Sequence, residues 1–184
     1  MLPVSTPQHH SLPAGLLPTD GFYHWGIVAS DFDAACDELG AVCGLTWAKP
    51  MRREFDLRQP DGVVTVNFRL TYSVEGPPHY EIVEASPGTL WDPTTAHGGV
   101  HHLGYWSTDV TRDAARLQAA GYPCGATAAT PDGLPAGFSY HRLHCGLWVE
   151  LVDLCRKPAY DAWIAGGDFP TFRPPGTPNA EPQT

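Results

Sequence analysis

Apolar and polar positions along the chain follow a plan that is carried out twice. Phe22–Ala29 is rich in apolar and aromatic residues and reads as a strand. Ser30 or Asp31 then stands where a helix N-cap is required. The predicted helix runs to about Ala41, with Gly40 and Gly44 marking its end. Residues 54–57 form a short predicted strand and Pro60-Asp61-Gly62 a turn, after which residues 63–74 alternate well enough for a long strand. Gly76-Pro77-Pro78 breaks the pattern, and residues 79–85 read as a further strand. The second half starts the same way. Val100–Ser107 is a strand, a helix opens at Asp109 or Thr111 and stops at Gly121, and residues 138–143 and 147–154 form a hairpin around His144-Cys145-Gly146.

The repetition extends to individual residues. His24-Trp25-Gly26-Ile27-Val28-Ala29-Ser30-Asp31 is echoed by His102-Leu103-Gly104-Tyr105-Trp106-Ser107-Thr108-Asp109, 78 positions later. Tyr80-Glu81-Ile82-Val83-Glu84 returns as Val149-Glu150-Leu151-Val152-Asp153, with Glu81 and Glu150 69 positions apart. One long repeat means two fused copies of a module rather than a solenoid. The expected organisation is an extended arm over 1–20, a first module with its connection over 21–97 and a second module over 98–157. A short helix and a Pro-rich tail follow over 158–184.

A duplicated fold accounts for the repeated apolar residues but does not require His and Glu on strands. Strand side chains alternate between faces, so His24, Gly26 and Val28 share one face, and His102, Gly104 and Trp106 share the equivalent one. On a regular strand His101 points away from His102. The same alternation separates Glu81 from Glu84 and Glu150 from Asp153. If the modules pair with approximate two-fold symmetry, His24, Glu81, His102 and Glu150 converge, and the glycine two residues after each histidine leaves space beside them. Two imidazoles and two carboxylates suit a borderline divalent ion such as Zn, Ni, Co, Mn or Fe(II). Trp106, on the metal face of its strand, is a candidate pocket wall, and so are Tyr140 and His141 before the last hairpin turn. Asp31 and Asp109 are helix caps with no catalytic role.

Composition narrows the partners. The net charge is −9, and Lys49 and Lys157 are the only lysines, which argues against nucleic acid and against an anionic membrane surface. No apolar run approaches the roughly 18 residues of a bilayer span, and no secretory signal is evident at the N-terminus. The five cysteines are odd in number and lack C-x-x-C spacing, as expected of reduced thiols in a cytoplasmic protein. A small-molecule substrate is the expected partner.

The four segments His24-Trp25-Gly26-Ile27-Val28, Tyr80-Glu81-Ile82-Val83-Glu84, Gly98-Gly99-Val100-His101-His102-Leu103-Gly104 and Val149-Glu150-Leu151-Val152 resemble the vicinal oxygen chelate superfamily. This is also called the glyoxalase, bleomycin-resistance and dioxygenase fold. The resemblance spans roughly residues 21–155, and its motif context looks most like methylmalonyl-CoA epimerase relatives. It implies an α+β fold in which two pseudo-symmetric βαβββ modules form a curved eight-stranded sheet, a half-barrel, around a metal. It places His24, Glu81, His102 and Glu150 at the four ligand positions. Epimerases of this type carry Gln where this chain has Glu81, whereas bacterial glyoxalase I carries Glu. It further implies a metal-dependent isomerase, epimerase or lyase that removes a proton α to a carbonyl through a metal-stabilised enolate. The substrate would be a small oxo compound or an acyl thioester. Glu150 and Glu81 could shuttle the proton, and Glu54 is the nearest candidate for a second base. Two alternatives share the fold: an Fe(II) ring-cleaving dioxygenase and a non-enzymatic antibiotic-sequestering protein. Related folds exchange modules between chains, so a homodimer is a further expectation.

Overall fold

The computed structural model describes residues 15–94 and 99–169. Most of the predicted N-terminal arm (1–14), the tail from Pro170 and part of the inter-module connection (95–98) lie outside the described residues.

The first module consists of β1 (Phe22–Ala29), α1 (Phe32–Cys43), β2 (Met51–Gln59), β3 (Gly62–Tyr72) and β4 (His79–Glu84). The second consists of β5 (Val100–Ser107), α2 (Val110–Ala119), β6 (Cys124–Ala128), β7 (Phe138–Arg142) and β8 (Trp148–Asp153), after which α3 (Lys157–Ile164) follows. Between the two candidate N-caps of each helix, the structure selects the aspartate. Asp31 accepts from the Ala34 amide at 3.0 Å and Asp109 from the Arg112 amide at 2.9 Å, satisfying amides that the first turn leaves open. Gly44, at φ +72°, ends α1 in the left-handed conformation that a residue with a Cβ enters at a cost.

The strands close into a barrel in the order β1-β4-β3-β2-β6-β7-β8-β5. Each module contributes four contiguous strands, and two antiparallel seams, β1 with β5 and β2 with β6, join them. Within each module the first and last strands pair in parallel, β1 with β4 and β5 with β8. The curved sheet is therefore closed rather than a half-barrel. Strand β6, which makes the β2 seam, is a strand that its sequence Cys-Gly-Ala-Thr-Ala does not announce.

Alternation decides what each strand offers to each side. Ile82 on β4 packs outward under α1 with Phe32, and Leu151 and Val149 on β8 pack outward under α2 with Ala114 and Leu117. Their neighbours Val83 and Val152 belong to the interior cluster with Tyr72, Trp91 and Tyr140. Ile82 and Leu151 have no exposed surface, and each such side chain contributes on the order of 1.5–3 kcal/mol when buried. Helix α3 sends Tyr160 and Trp163 into the same interior cluster.

Candidate metal centre

The paired registers explain why two histidines and two glutamates meet. Gly26 on β1 lies between Glu81 on β4 and His102 on β5. Gly104 on β5 lies between Glu150 on β8 and His24 on β1. In each row a histidine and a glutamate flank a glycine. Strands one apart in a sheet are separated by about 4.8 Å, so the flanking side chains reach each other only across a residue that has none. A Cβ on Gly26 would fall 1.8 Å from the His102 ring, and one on Gly104 would fall 1.9 Å from the His24 ring. Each glycine thus clears space for the other module's histidine.

The rows also carry a tyrosine each, Tyr72 opposite Glu81 and Tyr140 opposite Glu150. Tyr72 meets the His24 ring edge-on at 5.2 Å, and Tyr140 meets the His102 ring edge-on at 5.2 Å. The repeated triplets Leu70-Thr71-Tyr72 and Phe138-Ser139-Tyr140, each apolar, hydroxylic and then tyrosine, were the signal that could have found Tyr72.

The four ligand candidates are buried, and their donor atoms lie within 4.8 Å of one another. The two Nε2 atoms face each other at 2.9 Å. Glu81 Oε2 is 2.7 Å from His102 Nε2 and 3.3 Å from His24 Nε2. Glu150 Oε2 is 3.2 Å from His24 Nε2, yet it is buried without a hydrogen-bond partner. Burial works against the charged form of His24, but the Glu81 and Glu150 carboxylates outweigh it and raise its pKa to about 9. Burial would raise Glu81; the charge and hydrogen bonds of His24 and His102 reverse this and hold its carboxyl below the usual carboxylate range. The site therefore holds a proton where a cation is wanted, and a divalent ion is the natural replacement. The donor set, the convergent Nε2 atoms and the unsatisfied Glu150 oxygen all fit such an ion.

His101 departs from the regular alternation. Gly26 pairs with His102 while Ile27 pairs with Val100, so His101 is an extra residue in a bulge. Its buried ring turns towards His102 instead of away from it. His101 Nε2 donates to the Leu90 carbonyl at 2.9 Å, and its Nδ1 sits 3.0 Å from His102 Nδ1. Burial, with the neighbouring His102 charge adding to it, lowers the His101 pKa to about 3, so the ring is neutral. His101 Nδ1 is then an acceptor and His102 Nδ1–H donates to it, which leaves His102 Nε2, whose proton Glu81 accepts here, as the nitrogen that an ion would take in place of that proton. The other module bulges at the equivalent place: Phe22 pairs with Tyr105 and His24 with Gly104, leaving Tyr23 as the extra residue. There His24 Nδ1 is backed by the Tyr72 hydroxyl at 3.3 Å.

A pocket of about 390 Å³, including its open mouth, reaches this centre, with Glu81, Glu150, Tyr72 and Tyr140 on its wall. Tyr140 is thus where a pocket residue was expected. Three other candidates are not. His141 is buried on the opposite face of β7, bonded to the Tyr122 carbonyl at 2.9 Å and Ser139 Oγ at 3.1 Å, and serves the fold. Trp106 stacks on Tyr23 at 3.9 Å and lines a separate recess with His79 and Lys157. Glu54 is exposed on the outer face of β2, and its neighbours Met51, Arg53 and Phe55 take the pocket-facing positions. Alternation along β2 therefore leaves Glu54 outside the pocket that Glu81 and Glu150 line. Arg53 and Arg156 are pocket residues that the sequence reading missed.

A closed barrel of paired βαβββ modules, with one histidine and one glutamate donated by each, defines a metal-capable protein of the glyoxalase fold. The family model for the glyoxalase/bleomycin resistance protein/dioxygenase superfamily matches residues 23–138. The chain belongs to this superfamily. Among solved structures it is similar to methylmalonyl-CoA epimerase from Mycobacterium tuberculosis, at 17% identity and a TM-score of 0.51, covering 78% of this chain and 93% of that one. It is also similar to a variant of the Streptomyces coelicolor methylmalonyl-CoA epimerase in complex with 2-nitronate-propionyl-CoA, at 21% identity and a TM-score of 0.50, covering 72% and 92%. No curated protein sequence matches. No helix among the described residues is long and apolar enough to cross a membrane.

Proposed function

We propose that the protein is a metal-dependent enzyme that moves a proton on the carbon next to a carbonyl, as an isomerase, epimerase or lyase acting on a small oxo compound or acyl thioester. The observation that carries this reading is the set of four buried donors whose two carboxylates, Glu81 and Glu150, stand on the wall of a pocket. His24, Glu81, His102 and Glu150 would hold a divalent ion, which when bound would supply Lewis acidity towards a carbonyl oxygen.

The chain's own residues do the rest. Glu81 Oε2 lies close to both histidines and has the role of a fixed ligand. Glu150 Oε2 lies 3.2 Å from His24 Nε2, and Glu150, the more exposed of the two glutamates, also lines the pocket. It is the carboxylate suited to accept a proton from substrate carbon and return it. Tyr140 and Tyr72 flank the two glutamates, and burial raises both phenols well above their ordinary pKa, so they remain donors throughout the working range. Phe68, Leu70, Trp91 and Phe138 keep the pocket wall apolar, which strengthens charge interactions inside it. The fourth ligand at Glu81 counts against a ring-opening dioxygenase, which needs a face left by two histidines and one carboxylate.

The test is elemental analysis of purified protein followed by deuterium exchange into α-acidic carbonyl compounds and thioesters, read by NMR. Metal-dependent exchange is expected. Binding without exchange, in protein carrying its metal, would overturn the reading. Oxygen uptake with catechols on the iron-loaded protein would favour the dioxygenase. Metal-free protein whose ligand binding survives His24→Ala would favour a sequestering role.

A further inference from the structure

The pocket that Glu81 and Glu150 line is small for the chemistry assigned to it. Of its roughly 390 Å³, mouth included, the part that an entering molecule could occupy holds about one water. A substrate of more than a few atoms must extend past one of the walls. Most of those walls are barrel staves. Met51, Phe68, Tyr72, Glu81, Tyr140 and Glu150 sit on β2, β3, β4, β7 and β8, each hydrogen-bonded to a strand on both sides. Tyr160 comes instead from α3.

Behind Tyr160 lies the second recess, of about 500 Å³ with its mouth and with room for several waters. Tyr160 is the one described residue on the walls of both cavities. Its ring meets Tyr72 edge-on at 5.9 Å on the side of the centre and Trp106 edge-on at 5.8 Å on the side of the recess. The helix that carries it is anchored close by. Trp163 has no exposed surface and donates its indole N–H to the Lys49 carbonyl at 2.9 Å. The partition between the cavities is thus one side chain, and turning a side chain asks less of the fold than shifting a strand or the helix.

Phe22, Tyr23, Trp106, Pro77 and Ile164 make the recess largely apolar and aromatic, the usual character of a small-molecule site. Its charges disfavour an anion. Lys157 is held by Asp161 at 2.6 Å, and Asp20 adds a second carboxylate. His79 donates from Nδ1 to the Ser73 carbonyl at 2.9 Å, and burial lowers its pKa, so its ring is neutral. One ammonium therefore stands against two carboxylates. We propose that the recess holds the tail of the substrate, that Tyr160 turns aside to join it to the centre, and that the substrate is an oxo compound with an uncharged aromatic tail. The proposal rests on the catalytic reading above for where the carbonyl lies. It returns Trp106 to the wall of the substrate site.

The rival explanation is that the tail leaves through the pocket's own mouth past Phe55 and that the recess is a hollow on the surface. Hydroxamates grip a divalent metal through one invariant head, so a series of tails separates the two by calorimetric titration of the metal-loaded protein. Naphthalene-2-hydroxamate is expected to bind at least about tenfold tighter than acetohydroxamate. Its 6-carboxylate derivative is expected to lose most of that gain. Ile164→Trp, which fills the recess from a half-buried position, is expected to cut the naphthyl preference to within about threefold. Acetohydroxamate affinity and bound metal are expected to stay unchanged. Tyr160→Leu, which removes the ring of the partition, is expected to speed association of the naphthyl probe several-fold in stopped flow and leave acetohydroxamate unaffected; should it fail to fold, Ile164→Trp decides. Equal binding of the two probes, a preference that survives Ile164→Trp, or an unchanged association rate in folded Tyr160→Leu overturns the proposal. An Ile164-dependent preference without metal-dependent deuterium exchange into 2-acetonaphthone keeps the recess and removes the catalytic reading. Exchange into small ketones with no naphthyl preference does the reverse. If the protein takes up no metal, the catalytic reading falls, and binding of 2-acetonaphthone that Ile164→Trp abolishes still supports the recess, whereas binding that the variant leaves intact overturns it.

Discussion

The two modules supply the same donors to the centre but support them differently. In the second half, His102 is held by a chain of groups that runs through His101 to the Leu90 carbonyl, with contacts of 3.0 and 2.9 Å. In the first half, His24 rests on the Tyr72 hydroxyl at 3.3 Å. The glutamates divide the other way. Both glutamates are approached by both histidines, but Glu81, from the first half, is 2% exposed and 2.7 Å from His102, whereas Glu150, from the second, is 7% exposed and no nearer than 3.2 Å to either ring. A symmetric set of ligands has thus become a division of labour. One half holds its histidine firmly and frees its carboxylate; the other holds its carboxylate and leaves its histidine more lightly braced.

The most drastic way to break the comparison is to abolish both rows. Gly26→Ala or Gly104→Ala drives a methyl group into the opposing imidazole, and metal bound per protein is expected to fall by more than about 100-fold for either variant. Equal loss from the two glycines, measured by competition with a chromogenic chelator, would establish that the rows are equivalent. Glu150→Gln and Glu81→Gln then separate the halves. Glu150→Gln is expected to slow deuterium exchange by about 100- to 10,000-fold while retaining most of the metal; Glu81→Gln is expected to lose the more metal. The reverse order would dismiss the division of labour.

Acidity gives the next effect. Because the two carboxylates raise the His24 pKa to about 9 in the metal-free protein, metal binding must displace that proton. Affinity is therefore expected to rise as pH increases towards 9, by about tenfold per unit. The same shift stabilises the chelated protein fully below the unfolded histidine value, and this contribution disappears as pH rises through about 9. The melting temperature of the chelated form is expected to drop across that window, and that of the metal-loaded form to hold. The smallest effects come from the groups behind the ligands. His101→Phe is expected to weaken metal binding about 10- to 100-fold, and Tyr72→Phe by less, matching the 3.0 and 3.3 Å contacts. A larger loss from Tyr72→Phe would invert the account of which histidine is the better braced.

Much of this centre was legible in the chain because repetition and alternation act together. The echo of His24 by His102 and of Glu81 by Glu150 selected four positions that the registers bring onto two rows. Among the readings that failed, three have a plain physical reason. Strand β2 is longer than its predicted core because Arg53 interrupts the apolar face formed by Met51, Phe55 and Leu57. Arg53 broke the pattern there, and Glu54, put forward as the nearest match to a second base rather than from the register, lies outside the pocket. His101 was expected to face away from His102 because a bulge, which suspends alternation, leaves no mark in one sequence. Strand β6, Cys-Gly-Ala-Thr-Ala, has little β-forming character of its own, and its pairing with β2 and β7 makes it a strand.

The two cleared glycines have a consequence for how such a chain can change over time. Each is kept bare by a residue of the other copy, so neither copy drifts independently. A larger residue at Gly26 is tolerated only if His102 gives way, and one at Gly104 only if His24 does. Losing the centre through one copy removes the constraint on its counterpart, and the whole quartet becomes free to diverge. Ancestry and chemistry are locked to each other at two hydrogen atoms, the ones that stand where a Cβ would be.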